Sequence, residues 1–193
     1  MAEHTCPVWI GYLLASPLRK LFHRPEQILG PHVRDGMTVL DIGCAMGFFS
    51  LPLARLVGPT GRVVCVDLQE KMLQSLRNRA RKAGLDARIE TRQSSPVSLG
   101  LGGLSEQIDF ALAFFVVHEA ADQSNLFQET HAALKPGARL LVAEPRGHVS
   151  EAAFHTSLDL AHQSGFATVD APRIGRSHVA LLEKPARGGD RNC

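Results

Sequence analysis

The stretch Val39-Leu40-Asp41-Ile42-Gly43-Cys44-Ala45-Met46-Gly47 decides the fold of this chain. An apolar run that ends in an acid and passes into a glycine-spaced turn is a strand feeding a helix, the device with which α/β proteins open a nucleotide-type pocket. Tight glycine turns let backbone N–H groups approach a ligand, and the helix that follows points its positive end at any anion there. An enzyme is the expected product of such a stretch.

Downstream, short apolar runs alternate with helical periodicities, the pattern of crossover units that feed a parallel sheet. Strands are predicted over Thr38 to Asp41, Arg62 to Asp67, Ala87 to Gln93, Ile108 to Phe114 and Arg139 to Ala143. The third is the most polar and belongs nearer an edge. Met72, Leu73, Leu76, Ala80 and Ala83 make one helical face with Gly84 as its C-terminal cap. Leu126, Phe127, Ala133 and Leu134 make another, entered through Asp122 or Ser124 and closed by Pro136-Gly137. A third helix runs from about Ser150 to Ser164, and the first crossover helix starts near Gly47 to Ser50, leaving Pro52 in its opening turns. Ala167 to Val169 and Val179 to Leu182 suit an antiparallel pair at the sheet edge, and Ser94 to Ser105 reads as a long flexible connection.

Upstream of the sheet, Ser16-Pro17 and Pro25 to Leu29 open short helices. The segment 1–30 carries Trp9 and Tyr12, the chain's one tryptophan and one tyrosine. A lid over substrate is expected there, with packing of Trp9 on the domain, or on a second copy in a homodimer, as the alternative. A single domain over residues 1–185 and a disordered tail over 186–193 complete the organisation.

Composition narrows the partners. Hydrophobic residues make up 45%, charged residues 21%, and the formal net charge is +2, which leaves a nucleic-acid partner little support. Arg77, Arg79, Arg81 and Lys82 cluster on the outer face of a helix and read as a solvated face. No apolar run approaches the ~18 residues needed to span a bilayer, and the start lacks a basic leader, so neither membrane nor export is expected and the cytoplasm is. Cys6, Cys44, Cys65 and Cys193 follow no metal spacing and are expected as free thiols; His4 with Cys6 lacks the second pair a metal site needs.

In an open parallel sheet the ligand sits beyond the carboxyl ends of the strands. Asp41 ends the first, Asp67 the second, Gln93-Ser94-Ser95 follow the third, Phe114 to Glu119 the fourth, and Glu144-Pro145 the fifth. Asp67 lies 24 positions beyond Gly43, the spacing at which an acid reaches both hydroxyls of a ribose. A dinucleotide and S-adenosylmethionine both carry that sugar. The turn separates them: Ala45 replaces the middle glycine of G-x-G-x-x-G, and Phe48 or Phe49 stands where the last would be, so a pyrophosphate is poorly served. Where an acceptor in this crevice must lose a proton, His118, Glu119, Glu144 and His148 are the candidate bases, with His118 first. Phe48, Phe49, Phe114 and Phe115 are either a wall around a sulfonium or core; core is preferred.

From Val33 to Glu183 the chain resembles class I S-adenosylmethionine-dependent methyltransferases, in the small-molecule branch of quinone and arsenite methyltransferases. The carriers are the opening stretch, Val64-Cys65-Val66-Asp67, Ile108-Asp109-Phe110-Ala111-Leu112, and Leu134-Lys135-Pro136-Gly137-Ala138-Arg139-Leu140. The resemblance implies a Rossmann-like three-layer α/β sandwich with a seven-stranded, mostly parallel sheet of order 3-2-1-4-5-7-6. It also implies S-adenosylmethionine as cofactor and methyl transfer to a small-molecule acceptor. By the same resemblance Gly43, Cys44, Ala45 and Gly47 line the methionine end, Asp67 holds the ribose, and Leu68 and Met72 flank the adenine, with Asp41, Phe48, Gln93, Ser94 and Phe114 as further cofactor-binding candidates. Two positions depart from the family: Ala45 replaces a glycine, and Ser94 or Ser95 stands where an acid often meets the adenine. The chain lacks the Asn/Asp-Pro-Pro-aromatic motif of amide and base N-methyltransferases and the cysteine set of arsenite methylation. A non-catalytic binder of the cofactor or its product, and an NAD(P)-dependent oxidoreductase, are the alternatives.

Overall fold

The structure, a computed structural model, describes residues 24–186. The proposed lid up to residue 23, including His4, Cys6, Trp9, Tyr12 and Ser16-Pro17, lies outside the described residues, as does the expected tail from 187 onward.

Seven strands form one sheet: β1 (Thr38–Ile42), β2 (Arg62–Asp67), β3 (Ile89–Gln93), β4 (Ile108–Phe114), β5 (Leu134–Pro145), β6 (Ala167–Asp170) and β7 (Ser177–Glu183). Their order is β3-β2-β1-β4-β5-β7-β6, as expected. β1 to β5 pair in parallel, while β7 runs antiparallel to both β5 and β6. Because β7 runs backwards, its first residues lie at the carboxyl end of β5, with Ser177 opposite Pro145 and His178 opposite Glu144.

The helices are α1 (Pro25–Leu29), α2 (Ser50–Leu56), α3 (Glu70–Lys82), α4 (Gln123–Ala133) and α5 (Glu151–Gln163). Strand alternation splits the core in two. Val39, Val63, Cys65, Phe110 and Leu112 bury against α1, α2 and α3, whereas Leu40, Ile42, Val64, Ala111 and Val142 bury against α4 and α5. The central strands read as continuous apolar runs because both faces are covered. β3 is only half-buried, and all four residues of β6 are exposed, as edge strands are.

Several boundaries differ from expectation. α4 ends at Ala133 and β5 begins at Leu134, so Pro136-Gly137 lies inside the strand rather than closing the helix. The cause is distant in sequence: Lys184 donates from Nζ to the carbonyls of His131 (3.0 Å) and Leu134 (2.8 Å), and Gly137 donates its N–H to Lys184 O (2.7 Å). β3 starts at Ile89 because Asp86–Arg88 form a 3-10 turn. The 94–105 connection is pinned to α4: Asn125 Nδ2 donates to Val97 O (2.9 Å), and Glu129 accepts from Leu99 N–H (3.1 Å). The arginine cluster is only partly a solvated face. Arg77 donates to Thr91 Oγ1 (2.9 Å), and Arg79 reaches back to the carbonyl of Met46 in the glycine turn.

Candidate active site

A cleft of about 610 Å³ opens at the carboxyl ends of β1, β2 and β4 and is roofed by the 94–99 loop and the start of α4. Its ionisable lining consists of Asp67, Glu119, Asp122, His118 and His148, and no lysine or arginine reaches it among the described residues.

The floor is the turn after β1. Gly43 has φ +67°, a conformation that costs a residue with Cβ about 1–2 kcal/mol. A Cβ there would also stand 2.4 Å from Val116 Cγ2, so this glycine lets the chain after β4 close against the turn. At Gly47 (φ +86°) a Cβ would stand 2.4 Å from Leu76 Cδ1, so this glycine serves the packing of α3. Ala45 adopts φ +45°, and Phe115 across the cleft φ +62°; both strained residues line the cleft, as functional sites often arrange.

Three N–H groups of the turn are already engaged. Cys44 donates to Val66 O (3.0 Å), Ala45 to Asp67 Oδ2 (2.9 Å) and Gly47 to Cys44 O (2.9 Å). The turn therefore aims the Asp67 carboxylate instead of presenting these N–H groups to a ligand. Gln69 N–H donates to the other oxygen, Oδ1, at 2.8 Å. Each carboxylate oxygen keeps a second lone pair, so both remain able to accept a hydroxyl. Burial raises the Asp67 pKa, and the two N–H bonds restrain the rise.

Asp41 lies one residue short of the end of β1 and does not line the cleft. It is 3% exposed and accepts a 2.5 Å hydrogen bond from Ser50 Oγ at the start of α2. Burial pushes its pKa up to about 7; the Ser50 hydroxyl opposes the shift and the charge of Asp67 adds to it.

On the opposite wall His118 sits in a 3-10 turn, Val117–Glu119, directly after β4. Its Nδ1 bonds Glu144 Oε2, and Glu144 Oε1 accepts Val117 N–H at 2.8 Å. Glu144 is 1% exposed, so it is a buried support beneath the histidine and not a cleft-facing base. The other ring nitrogen, Nε2, stands 3.9 Å from Glu119 Oε1. The hydrogen bond to Glu144 raises the His118 pKa, against the opposing effect of burial. Burial raises the Glu119 carboxyl, and His118 pulls it back.

Gly43, Ala45, Asp67, Leu68, Met72, Ser94, Phe114, His118 and His148 thus come together around the cleft. Cys44, Gly47, Phe48 and Gln93 do not. Cys44 and Phe48 are buried in the core layer against α1 to α3, the second in an edge-to-face pair with Phe49. Burial pushes the Cys44 thiol well above its ordinary pKa. Gln93 turns outward to donate from Nε2 to Leu68 O (3.2 Å). Ser95, expected beside Ser94, also lines the cleft, and the lining residues that periodicity missed are mainly Gln69, Pro96 to Leu99, Asp122 and Asn125. Asp122 is legible as the cap of α4, accepting Asn125 N–H at 2.9 Å, but nothing local in the sequence announces that this helix end faces the cleft.

Comparison with known proteins bears on this geometry. A family model described as a methyltransferase domain matches residues 33–176. The ubiquinone/menaquinone biosynthesis C-methyltransferase UbiE of Escherichia coli is 34% identical over 112 residues, covering 58% of this chain and 44% of that protein, so the match spans less than half of the relative. The structure of a SAM-dependent methyltransferase from Aquifex aeolicus superimposes with a TM-score of 0.81 at 23% identity, covering 93% of this chain and 98% of that one. The [4+2]-cyclase SpnF superimposes with a TM-score of 0.71 at 17% identity, over 85% and 82% of the two chains. The second neighbour shows that this fold hosts more than one chemistry. On the family match, which spans most of its length, the chain belongs to the methyltransferase-domain family.

Proposed function

We propose that this protein transfers the methyl group of S-adenosylmethionine to a small-molecule acceptor. The observation that carries the reading is the charge of the cleft: three carboxylates line it and no lysine or arginine does among the described residues. A sulfonium and an ammonium are welcome in such a field, whereas the pyrophosphate of a dinucleotide is repelled. Asp67, held by Ala45 and Gln69, is placed to accept the ribose hydroxyls, with Leu68 and Met72 as apolar flanks for the adenine and Ser94 at its rim. The buried Asp41 adds negative potential behind the turn when ionised.

The cofactor supplies an electrophilic methyl group, and the protein's task is chiefly alignment and proton removal. His118 Nε2 takes the acceptor's proton as the methyl bond forms. Glu144 holds Nδ1, fixes the tautomer and stabilises the imidazolium, while Val117 N–H keeps Glu144 in register. Phe114 and Phe115, tilted against each other at 4.4 Å, wall the space between cofactor and acceptor. His148, exposed at the far rim, is the second base candidate.

Incubation with S-adenosylmethionine carrying a tritiated methyl group and a small-molecule metabolite extract tests the reading. Label is expected in small molecules and is expected to fall about hundredfold with His118→Ala. Cofactor binding without any transfer would instead favour a non-catalytic binder.

A further inference from the structure

His118 and Glu119 are successive residues of the turn after β4, and both line the cleft. His118 Nε2 and Glu119 Oε1 stand 3.9 Å apart. That is beyond hydrogen-bond length, so neither group satisfies the other. One donor atom placed between them meets both, because two hydrogen bonds of about 2.9 Å close a triangle on the 3.9 Å base, provided the atom carries at least two hydrogens. An ammonium carries three and a hydroxyl one. The two side chains are 30% and 42% exposed, so an entering group can reach them.

The charge around this pair is a separate observation. With Asp67 placed for the cofactor's sugar, Glu119 and Asp122 are the carboxylates of the lining that remain, and no lysine or arginine offsets them among the described residues. Asn125, beside them, has its Nδ2 donors on Val97 O (2.9 Å) and Glu129 Oε1 (2.8 Å), so it offers little to an anion. Burial raises the Glu119 carboxyl, His118 opposes the rise, and the charges of Glu144 and Asp67 add to it; a cation at that oxygen relieves the crowding. Proton removal then has opposite consequences for two classes of acceptor. A phenol or enol becomes an anion among carboxylates, whereas an ammonium becomes neutral.

We infer that the acceptor is a basic amine, bound as its ammonium ion between Glu119 Oε1 and His118 Nε2 and methylated on nitrogen. The inference rests on the methyl-transfer reading and names its substrate class. Because Nδ1 is held by Glu144, Nε2 carries the lone pair and takes one ammonium proton. The freed nitrogen lone pair forms the N–C bond as the C–S bond breaks, leaving S-adenosylhomocysteine and an N-methylammonium whose charge stays beside Glu119. The proton on His118 passes to water as the product leaves.

A small-molecule metabolite extract divided by charge tests the inference, with release of S-adenosylhomocysteine from S-adenosylmethionine by the full chain as the readout. Passage of the extract over a cation exchanger should abolish turnover, and the exchanger's eluate should restore it. Passage over an anion exchanger, or extraction with an organic solvent at neutral pH, should leave turnover in place. With the eluate as acceptor, Glu119→Gln should raise the apparent KM about tenfold or more while the calorimetric Kd for S-adenosylmethionine stays unchanged. Turnover that survives the cation exchanger and is lost on solvent extraction marks a neutral phenol or quinol and overturns the amine. An acceptor removed by the anion exchanger, or an unchanged KM in Glu119→Gln, overturns it as well. Cofactor binding with no S-adenosylhomocysteine from any fraction or from the whole extract counts against methyl transfer itself, and the amine falls with it.

Discussion

The two walls of the cleft are built by different means. The wall from β1 and β2 is a backbone device: a glycine turn at Gly43 and Ala45 whose N–H groups lock Asp67, with Asp41 held beneath by Ser50. The wall from β4 and β5 is a side-chain device, in which a buried glutamate on one strand holds a histidine that follows another. The first is suited to gripping an invariant ligand, since backbone geometry varies little with sequence. The second is suited to chemistry that changes with the acceptor. The prediction is that perturbing the first wall alters cofactor affinity and stability, while perturbing the second alters turnover with little change in cofactor affinity.

The largest expected effect belongs to Asp41. Its folded pKa of about 7 stands above its ordinary 3.8, so the folded protein prefers the protonated acid. The stability it contributes is fully present below the unfolded pKa and is lost as pH rises from about 4 to about 7, on the order of 4 kcal/mol. The raised His118 pKa acts in the same direction, its share being lost as pH rises through the folded value. Urea unfolding at a series of pH values should show stability declining over this window, and Asp41→Asn should flatten most of the decline. An unchanged slope in the variant would remove Asp41 from the account of the first wall.

Next is Asp67→Ala, which removes the proposed ribose acceptor and leaves the Ala45 and Gln69 N–H groups without their partner. Cofactor affinity should fall by about 2–4 kcal/mol, roughly 30- to 1000-fold, with turnover at saturating cofactor far less affected. Glu144→Gln sharpens the contrast from the other side. It should lower kcat about hundredfold with little change in cofactor Kd. Loss of the carboxylate also lowers the His118 pKa, so the acid limb of the kcat profile should move to lower pH. A fall in cofactor affinity without a pH shift would make Glu144 merely structural. Smallest is Arg79→Ala. It unties α3 from the Met46 carbonyl and should cost about 1 kcal/mol of stability, read by urea unfolding.

The first wall was legible in the sequence because its parts are local: Asp41 to Gly47 form one strand and turn, and Asp67 ends the strand paired beside it. The sheet order came with the family resemblance and is observed. What local reasoning misassigned depended on distant contacts. Cys44 and Phe48 follow the glycine in sequence, yet the turn rotates them into the core behind it. Glu144 follows an apolar run as a cleft base would, but its alternation along β5 buries it, and only the position of His118 reveals its use. The start of β5 was obscured for the same reason, because the contacts that extend it come from Lys184, near the opposite end of the fold's sequence.

The central claim is that an acid-lined cleft holds a sulfonium nucleoside through Asp67. Calorimetric titration of the full chain with S-adenosylmethionine, with NADH as the comparison, tests it most directly. The account predicts saturable heat at one equivalent with S-adenosylmethionine, none with NADH, and a weakened isotherm for Asp67→Ala. Heat with NADH alone, or an isotherm untouched by Asp67→Ala, would contradict it.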